Sequence, residues 1–234
     1  MAPTNTFGVI LPAAGSGTRF GGGDKLLMDI GGRSVLQRAV GAFAARPEVP
    51  VLVIVTAEER FQEYRRHLGD VGKELHFVRG GRERWESVMN GLRDLAGKAN
   101  APEFVAVHDA ARPLCMGAVI EAAFAAAREA GGALPCVAEP ATLKRRSAEG
   151  NVTETVDRRG LFQAQTPQCF VLRKLLDGYE RLHAESRVAD LTDDAQVFER
   201  MSWPVRITPG SPLNLKITTA EDLALARAIA ATGI

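Results

Sequence analysis

Short apolar runs alternate with amphipathic segments along most of this 234-residue chain. Apolar or mostly apolar runs predict strands at Phe7–Leu11, Val51–Val55, Leu75–Val78, Phe104–Val107, Gly132–Val137 and Val205–Ile207, with the first buried and the second central in a parallel sheet. Apolar residues at helical spacing predict helices at Ser34–Ala45, Glu58–Leu68, Glu83–Leu95, Ala118–Ala130, Leu172–His183, Asp193–Arg200 and from Ala220 onward. This alternation predicts an α/β fold with a Rossmann-like, mostly parallel twisted sheet and helices on both of its faces.

A polar stretch between Glu139 and Arg159 interrupts the alternation. Its flanks, Thr142–Arg145 and Val152–Val156, are predicted to pair as a hairpin. Because the stretch has little to bury against its own core, we interpret it as a projecting β-arm that a second subunit covers. An ordinary exposed β-excursion is the alternative. We therefore expect one domain over residues 1–234, with a dimerisation arm at about 139–159.

Composition narrows the class of protein. The net charge of +1 provides no electrostatic footprint for a nucleic acid or a membrane surface, so neither is expected as a partner. The three cysteines, Cys115, Cys136 and Cys169, have neither metal-binding spacing nor the even number of a disulfide framework. With no signal-peptide pattern and no apolar run approaching about 18 residues, we expect a cytoplasmic protein with reduced thiols.

A glycine-rich loop, LPAAGSGTRFGGGDK at Leu11–Lys25, directly follows the first predicted strand. It fails the dinucleotide pattern GxGxxG at Phe20, and it fails the P-loop pattern because Leu26 follows Lys25. Glycines allow backbone N–H groups to approach a ligand, and Arg19 and Lys25 supply positive charge. The loop therefore predicts a site for a polyanion such as a nucleoside triphosphate, with a flexible surface turn as the alternative.

Further polar clusters follow later strands, where open α/β sheets bind their ligands. They are Gly80–Arg84 with Ser87, His108–Pro113, Gln165–Gln168, Thr192–Asp194 and Asn214–Thr218. Asp109 suits Mg²⁺, unless it caps a helix. Arg112 is interpreted as an anion ligand or as a partner of Asp109, and His108 as a packed neighbour without chemistry. Cations, glycines and few carboxylates favour phosphoryl or nucleotidyl transfer, in which positioning and charge stabilisation do most of the work.

Taken together, these motifs resemble the 2-C-methyl-D-erythritol 4-phosphate cytidylyltransferase family, in order along the whole chain. The matching segments are Ala13–Arg19 with Lys25, Gly80-Gly81 with Arg84, Ser87 and Val88, Val107–Pro113, Thr155–Arg158, Gln165–Gln168 and Asn214–Thr218. AAGxGxR is shared by many nucleotidyltransferases, whereas HDAARP, TVDR and QTPQ with NLKIT are far more specific. The resemblance implies a nucleotidyltransferase fold and transfer of CMP from CTP to methylerythritol phosphate, with release of pyrophosphate, in non-mevalonate isoprenoid biosynthesis.

The resemblance also implies residue roles. Arg19 and Lys25 match the pair that stabilises the transition state, and Arg158 and Lys216 match the pair that positions methylerythritol phosphate. The implied nucleotide-binding residues are Ala13, Ala14, Gly15, Gly17, Gly81 and Ser87. The implied substrate-binding residues are Asp109, Arg112, Thr166 and Thr192. Asp109 also lies near the position of Mg²⁺ or another divalent cation, and the arm is expected to reach across a homodimer so that sites are shared.

Three positions and one loop length depart from the family pattern. Asp24 precedes the key lysine where proline is usual, and the loop between Arg19 and Lys25 is one residue shorter. Arg82 stands where an acidic or small residue is more usual, and Ala141 where the arm often has Asp. A ribitol 5-phosphate cytidylyltransferase is the nearest alternative enzyme. A regulatory nucleotide-binding protein is a second alternative, but a mere binder has no need of both Arg19 and Lys25.

Overall fold

The computed structural model describes residues 5–15 and 23–233. The strands in this part of the chain are β1 (Phe7–Pro12), β2 (Asp29–Ile30), β3 (Arg33–Ser34), β4 (Val51–Thr56), β5 (Glu74–Arg79), β6 (Phe104–Val107), β7 (Gly132–Ala138), β8 (Leu143–Arg146), β9 (Val152–Val156), β10 (Phe162–Ala164), β11 (Gln168–Val171) and β12 (Arg206–Pro209). The helices are α1 (Val35–Ala44), α2 (Phe61–Leu68), α3 (Arg84–Ala96), α4 (Gly117–Ala130), α5 (Leu172–Ala184), α6 (Ala195–Arg200) and α7 (Ala220–Ala230).

Eight of these strands form one mixed sheet, in the order β5-β4-β1-β6-β11-β7-β12, with β10 also paired to β7. The pairs β1–β4, β1–β6, β4–β5 and β7–β12 are parallel, which confirms the predicted Rossmann-like, mostly parallel sheet. Strands β10 and β11 run antiparallel to their neighbours and were not predicted. Pro167 separates them, and the glutamines of the QTPQ stretch interrupt the apolar pattern that marks a buried strand.

Two apolar cores lie on opposite faces of the sheet, so helices cover both faces as predicted. In β1 the side chains of Phe7, Val9 and Leu11 join α1, α4 and part of α7 in one core. Ile10 joins α3, α5 and α6 in the other. Because successive side chains of a strand point to opposite faces, a strand buried on both sides needs the continuous apolar run seen here. The capping box between Ser34 and Gln37 begins α1 where the sequence predicts it.

Two short antiparallel ribbons lie outside the central sheet. Strands β8 and β9 pair as the predicted hairpin, and most of their side chains are exposed. Whether a second subunit covers this ribbon stays a prediction. The other ribbon, β2–β3, was not predicted, although Gly31 and Gly32 between its strands both have positive φ, as a type I′ two-residue hairpin turn requires. No helix among the described residues has the length and apolarity needed to cross a bilayer.

Truncation of the aromatic cluster beneath β1 is expected to destabilise the fold strongly. The Phe124 ring stacks on Phe7 with centroids 3.7 Å apart and is almost fully buried. Phe124→Ala should therefore lower the free energy of unfolding by about 3–5 kcal/mol in a denaturant titration. The control Leu225→Ala, on a side chain that is 54% exposed, should change it by less than about 0.5 kcal/mol. Equal effects of the two variants would contradict this account of the core.

Candidate active site

A cleft of about 410 Å³ opens where β1, β5 and β6 end, as expected for an open α/β sheet. Its lining includes the described end of the glycine-rich loop and the residues after β5 and β6. The lining residues are Pro12, Ala13, Ala14, Gly15, Gly23, Asp24, Lys25, Leu26, Arg60, Gly81, Arg82, Glu83, Arg84, Ser87, Asp109, Ala110, Ala111 and Lys216. Gly17 and Arg19 lie outside the described residues.

Close backbone packing shapes one wall of this cleft, which we call the first cleft. The backbone N–H of Gly81 donates to the Ser87 hydroxyl over 3.1 Å, and that hydroxyl donates to the Glu83 carbonyl over 3.2 Å. A Cβ on Gly81 would come within 2.2 Å of the Glu86 Cβ, so only glycine fits there. The predicted nucleotide-binding residues Ala13, Ala14, Gly15, Gly81 and Ser87 all line the first cleft.

Lys25 enters the first cleft from a single 3₁₀ turn, Lys25–Leu27. Its Nζ donates to the carbonyl oxygen of Ile217 over 2.8 Å. Ile217 follows Lys216, so the C-terminal segment brings the two predicted lysines to the same cleft although they are far apart in the chain.

Asp24, the unexplained residue beside Lys25, is tied to helix α2. Its Oδ2 accepts from the Tyr64 hydroxyl over 2.5 Å and from Arg60 Nη1. Its Oδ1 accepts from the backbone N–H of Leu26 over 3.0 Å, which caps the turn that carries Lys25. Burial, together with the neighbouring Asp24 carboxylate, raises the pKa of Tyr64 well above its usual value. The carboxylate next to Lys25 is therefore bound by the Arg60 cation and the Tyr64 hydroxyl.

Asp109 lies at the centre of a group of cations. Lys216 Nζ is 3.0 Å and Arg112 Nε is 3.3 Å from Asp109 Oδ2. Burial alone would raise the pKa of Asp109, but the charges of Lys216, Arg84 and Arg112 lower it to about 2. Helix α4 begins later, at Gly117, with Met116 as its N-cap, so the alternative in which Asp109 caps a helix is wrong. The pairing of Arg112 with Asp109, one of its two interpretations, is present.

A second cleft of about 230 Å³ contains the four predicted substrate-binding residues, together with Lys216. Its lining residues are Arg84, Asp109, Arg112, Ala164, Gln165, Thr166, Gln168, Thr192, Asp193 and Lys216. Arg84, Asp109 and Lys216 line both clefts. The two clefts therefore meet at one carboxylate and two cations.

A buried chain of hydrogen bonds holds the segment around Asp109 in place. The His108 ring contacts the Arg112 carbonyl through Nε2 (3.1 Å) and the Thr166 hydroxyl through Nδ1 (3.0 Å). Because a carbonyl only accepts, Nε2 carries the proton and Nδ1 accepts from Thr166. The Thr166 oxygen in turn accepts from the backbone N–H of Asp109 over 3.1 Å. Burial lowers the pKa of His108 to about 4, so the ring is neutral at pH 7 and holds the segment in position.

Arg84 and Asp194 form a pair that sequence reasoning missed. The guanidinium donates to both carboxylate oxygens, over 3.0 and 2.6 Å, and the buried Tyr179 hydroxyl donates to Asp194 over 2.6 Å. The two partners are 110 positions apart in the chain. Each lies in a polar cluster at a strand end or loop, but the sequence carries no signal that links the two clusters. The pair fixes Arg84 where both clefts meet.

Arg158 lies apart from these residues. It is exposed, it lines neither cleft, and its Nη1 donates to the carbonyl of Pro140. Within one chain, therefore, Arg158 does not join Lys25 and Lys216.

Thr192 lines the second cleft, and its hydroxyl accepts from Gln196 over 3.0 Å.

The carboxylate of Asp109 fits a divalent cation that also binds phosphate. Among the described residues, no group of three or more His, Cys, Asp or Glu side chains could hold a metal ion. Both ion pairs that Asp109 makes with described residues use Oδ2, so Oδ1 is the candidate ligand for a cation. Mg²⁺ is commonly held by one or two carboxylates together with phosphate oxygens, so this donor set suits it only with a phosphate ligand present.

Comparisons with known proteins agree with these motifs. Residues 7–232 match the family model described as IspD, 2-C-methyl-D-erythritol 4-phosphate cytidylyltransferase. The chain is 40% identical over 232 residues to 2-C-methyl-D-erythritol 4-phosphate cytidylyltransferase of Rhodopirellula baltica, covering 94% of this chain and 93% of that protein. It is 39% identical over 225 residues to bifunctional enzyme IspD/IspF of Mesorhizobium japonicum, covering 95% of this chain but only 54% of the relative. The chain thus spans about half the length of such bifunctional relatives.

Solved structures show the same fold. The 4-diphosphocytidyl-2C-methyl-D-erythritol synthase of Anaerococcus prevotii superposes with a TM-score of 0.81 at 26% identity, over 97% of this chain and 96% of that one. The 2-C-methyl-D-erythritol 4-phosphate cytidylyltransferase of Thermus thermophilus gives 0.76 at 26% identity, over 95% and 98%.

His108 is expected to make stability depend on pH. Its pKa is about 4 in the folded chain, below the usual 6.5 in the unfolded chain, so the unfolded state binds more protons between these values. Stability should therefore be complete above about pH 6.5 and fall, by up to about 1.4 kcal/mol per pH unit, as the pH drops toward 4. Urea titrations of ligand-free wild type and His108→Gln from pH 4 to 7.5 should show a shallower slope for the variant. Parallel curves would contradict the assignment.

Proposed function

We propose, for a chain that belongs to the 2-C-methyl-D-erythritol 4-phosphate cytidylyltransferase family, a division of the family's reaction between the two clefts. The enzyme transfers CMP from CTP to 2-C-methyl-D-erythritol 4-phosphate, and it produces 4-diphosphocytidyl-2-C-methyl-D-erythritol and pyrophosphate. The observation that carries the proposal is that a glycine-lined cleft and a second, cation-lined cleft meet at Asp109 and Lys216.

The first cleft is proposed to bind CTP. Backbone N–H groups of the glycine-rich loop can face phosphate oxygens, and the Gly81–Ser87 wall offers polar groups for the base. Lys25 lies in this cleft, and Arg19 belongs to the same loop although it lies outside the described residues. In the proposal both cations stabilise the charge that develops on the α-phosphate during transfer.

The second cleft is proposed to bind methylerythritol phosphate. Arg112 and Lys216 supply positive charge there, and Thr166 and Thr192 line the same space. An oxygen of the acceptor phosphate attacks the α-phosphorus of CTP. The new P–O bond forms as the bond to the β-phosphate oxygen breaks, and the electron pair leaves with pyrophosphate. Holding both phosphates beside shared cations lowers their repulsion and orients the attacking oxygen.

Mg²⁺ or another divalent cation is proposed at Asp109, where the remaining oxygen Oδ1 can bind it together with phosphate oxygens of CTP. When bound, such an ion neutralises phosphate charge and improves the leaving group.

Replacing the proposed transition-state cations should lower turnover sharply. In a pyrophosphate-release assay with CTP, Mg²⁺ and methylerythritol phosphate, Arg19→Ala and Lys25→Ala should each reduce kcat by about 10²-fold or more. Arg181→Ala, on an exposed part of α5, serves as the matched control and should retain full activity. Near-wild-type rates for either site variant would refute its role. Turnover of ribitol 5-phosphate in place of methylerythritol phosphate would reassign the acceptor.

A homodimer with shared sites is proposed for Arg158. Because Arg158 lines neither cleft of its own chain, its predicted role in positioning the acceptor requires another copy. The exposed ribbon β8–β9, with Val152 66% exposed, offers a surface that a second copy can cover. A cytoplasmic location stays a prediction.

Complementation between two inactive variants should reveal a shared site. In a heterodimer of Arg158→Ala and Lys25→Ala subunits, one cleft combines a wild-type Lys25 with the partner's wild-type Arg158. Co-refolding equal amounts should restore about a quarter of wild-type activity, since half of the dimers would each have one complete site. Each variant refolded alone is the control. Activity no higher than the average of the two controls would place the whole site within one chain.

A further inference from the structure

We propose that Asp24 is a positioning residue for Lys25, because it fastens the end of the glycine-rich loop to helix α2. The inference rests on the proposed role of Lys25 in the transition state. Asp24 belongs to none of the predicted ligand-binding sets, although it lines the first cleft.

The two oxygens of Asp24 bind different elements. Oδ1 accepts from the backbone N–H of Leu26 over 3.0 Å and caps the 3₁₀ turn that starts at Lys25. Oδ2 accepts from the Tyr64 hydroxyl over 2.5 Å and from Arg60 Nη1. The carboxylate is thus a joint between the turn and α2.

The α2 end of this joint is firmly held. Tyr64 is 1% exposed and belongs to the apolar core that includes α1 and α4. A buried tyrosine hydroxyl needs a hydrogen-bond partner, and its other contact in the described residues, to Arg60 Nη1, is long at 3.5 Å. Asp24 is therefore its principal partner, and the core fixes the position of the carboxylate.

The contact of Asp24 with the 3₁₀ turn fixes the position of Lys25. Gly23, just before Asp24, has a φ of +75° and no side chain, so it provides no side-chain contact that could fix this end of the loop. After Asp24 the capped turn begins at once, and Lys25 Nζ reaches the Ile217 carbonyl over 2.8 Å. Small displacements of a catalytic group are costly, on the order of 10²-fold for 1 Å. Loss of the joint should therefore reach Lys25 directly.

Asp24→Asn tests the joint with little change in size. The amide can still accept from Leu26, but its N–H₂ cannot accept from Arg60 and meets the Tyr64 hydroxyl as a donor, and a flipped amide would lose the cap instead. We expect kcat to fall about tenfold with little change in the KM for CTP, since the lost interaction acts on the transition state. A simple effect of removing a negative charge would instead tighten CTP binding and lower KM.

A double-mutant cycle with Lys25→Ala separates positioning from a merely structural role. If Asp24 acts through Lys25, Asp24→Asn should lower kcat about tenfold in the wild-type background and less than about twofold in the Lys25→Ala background. Tyr64→Phe is run through the same cycle. Tyr64 does not line the first cleft, and its replacement leaves Asp24 its contacts with Leu26 and Arg60, so the expected effect is smaller. Thermal midpoints are measured for all variants, and rates are compared where each is folded.

The outcomes distinguish this inference from the proposed function. A tenfold loss that disappears in the Lys25→Ala background supports positioning by Asp24. Equal losses in both backgrounds overturn the inference, and so does the absence of any loss in both Asp24→Asn and Tyr64→Phe. In either case the proposed function stands as long as Lys25→Ala itself lowers kcat. Wild-type activity of Lys25→Ala itself overturns the role of Lys25 and the inference with it.

Discussion

The site depends on one buried carboxylate that has to be surrounded by cations. Asp109 remains ionised at neutral pH because the charges of Lys216, Arg84 and Arg112 outweigh the cost of its burial. The same carboxylate pairs with Lys216 and Arg112 before any phosphate arrives, whereas Asp194 holds Arg84 where the two clefts meet. Charge is therefore arranged in advance, and a reaction between two phosphates needs little reorganisation of the protein.

The segment from Asn214 to Ile217 extends this arrangement by a different means. The Asn214 carbonyl accepts from Arg112 over 2.6 Å, and the Ile217 carbonyl accepts from Lys25 over 2.8 Å. The segment is itself held by the Ile217 N–H, which donates to the Ala111 carbonyl over 2.9 Å. The segment therefore contacts a cation of each cleft, Lys25 in the first and Arg112 in the second, through its carbonyl oxygens.

The local hydrophobic pattern predicts the strands and helices here better than it predicts the side-chain contacts between distant segments. Strands β1 and β4 were predictable because burial on both faces demands an apolar run, whereas β11 contains Gln168, whose side chain accepts from the backbone N–H groups of Asp194 and Ala195. Strand ends likewise pointed to Asp109 and Lys216. The Arg84–Asp194 pair was not predictable, because a bidentate contact between distant positions leaves no periodic signal. The residue types indicated anion binding by Arg19 and Lys25 and a metal at Asp109, whereas the roles of Arg158, Lys216, Thr166 and Thr192 came from resemblance to a family.

Asp24 shows how a residue that looks unfavourable in sequence becomes compatible with its site. An acid beside a lysine that faces phosphate should weaken anion binding, because the carboxylate repels the same ligand. Here the Arg60 guanidinium and the Tyr64 hydroxyl both bind that carboxylate, so they offset its negative charge. The acid at position 24 is thus accommodated by a cation at the N-cap of α2 and a hydroxyl on α2. Asp24, Arg60 and Tyr64 therefore form one structural unit, in which the second and third residues bind the carboxylate of the first.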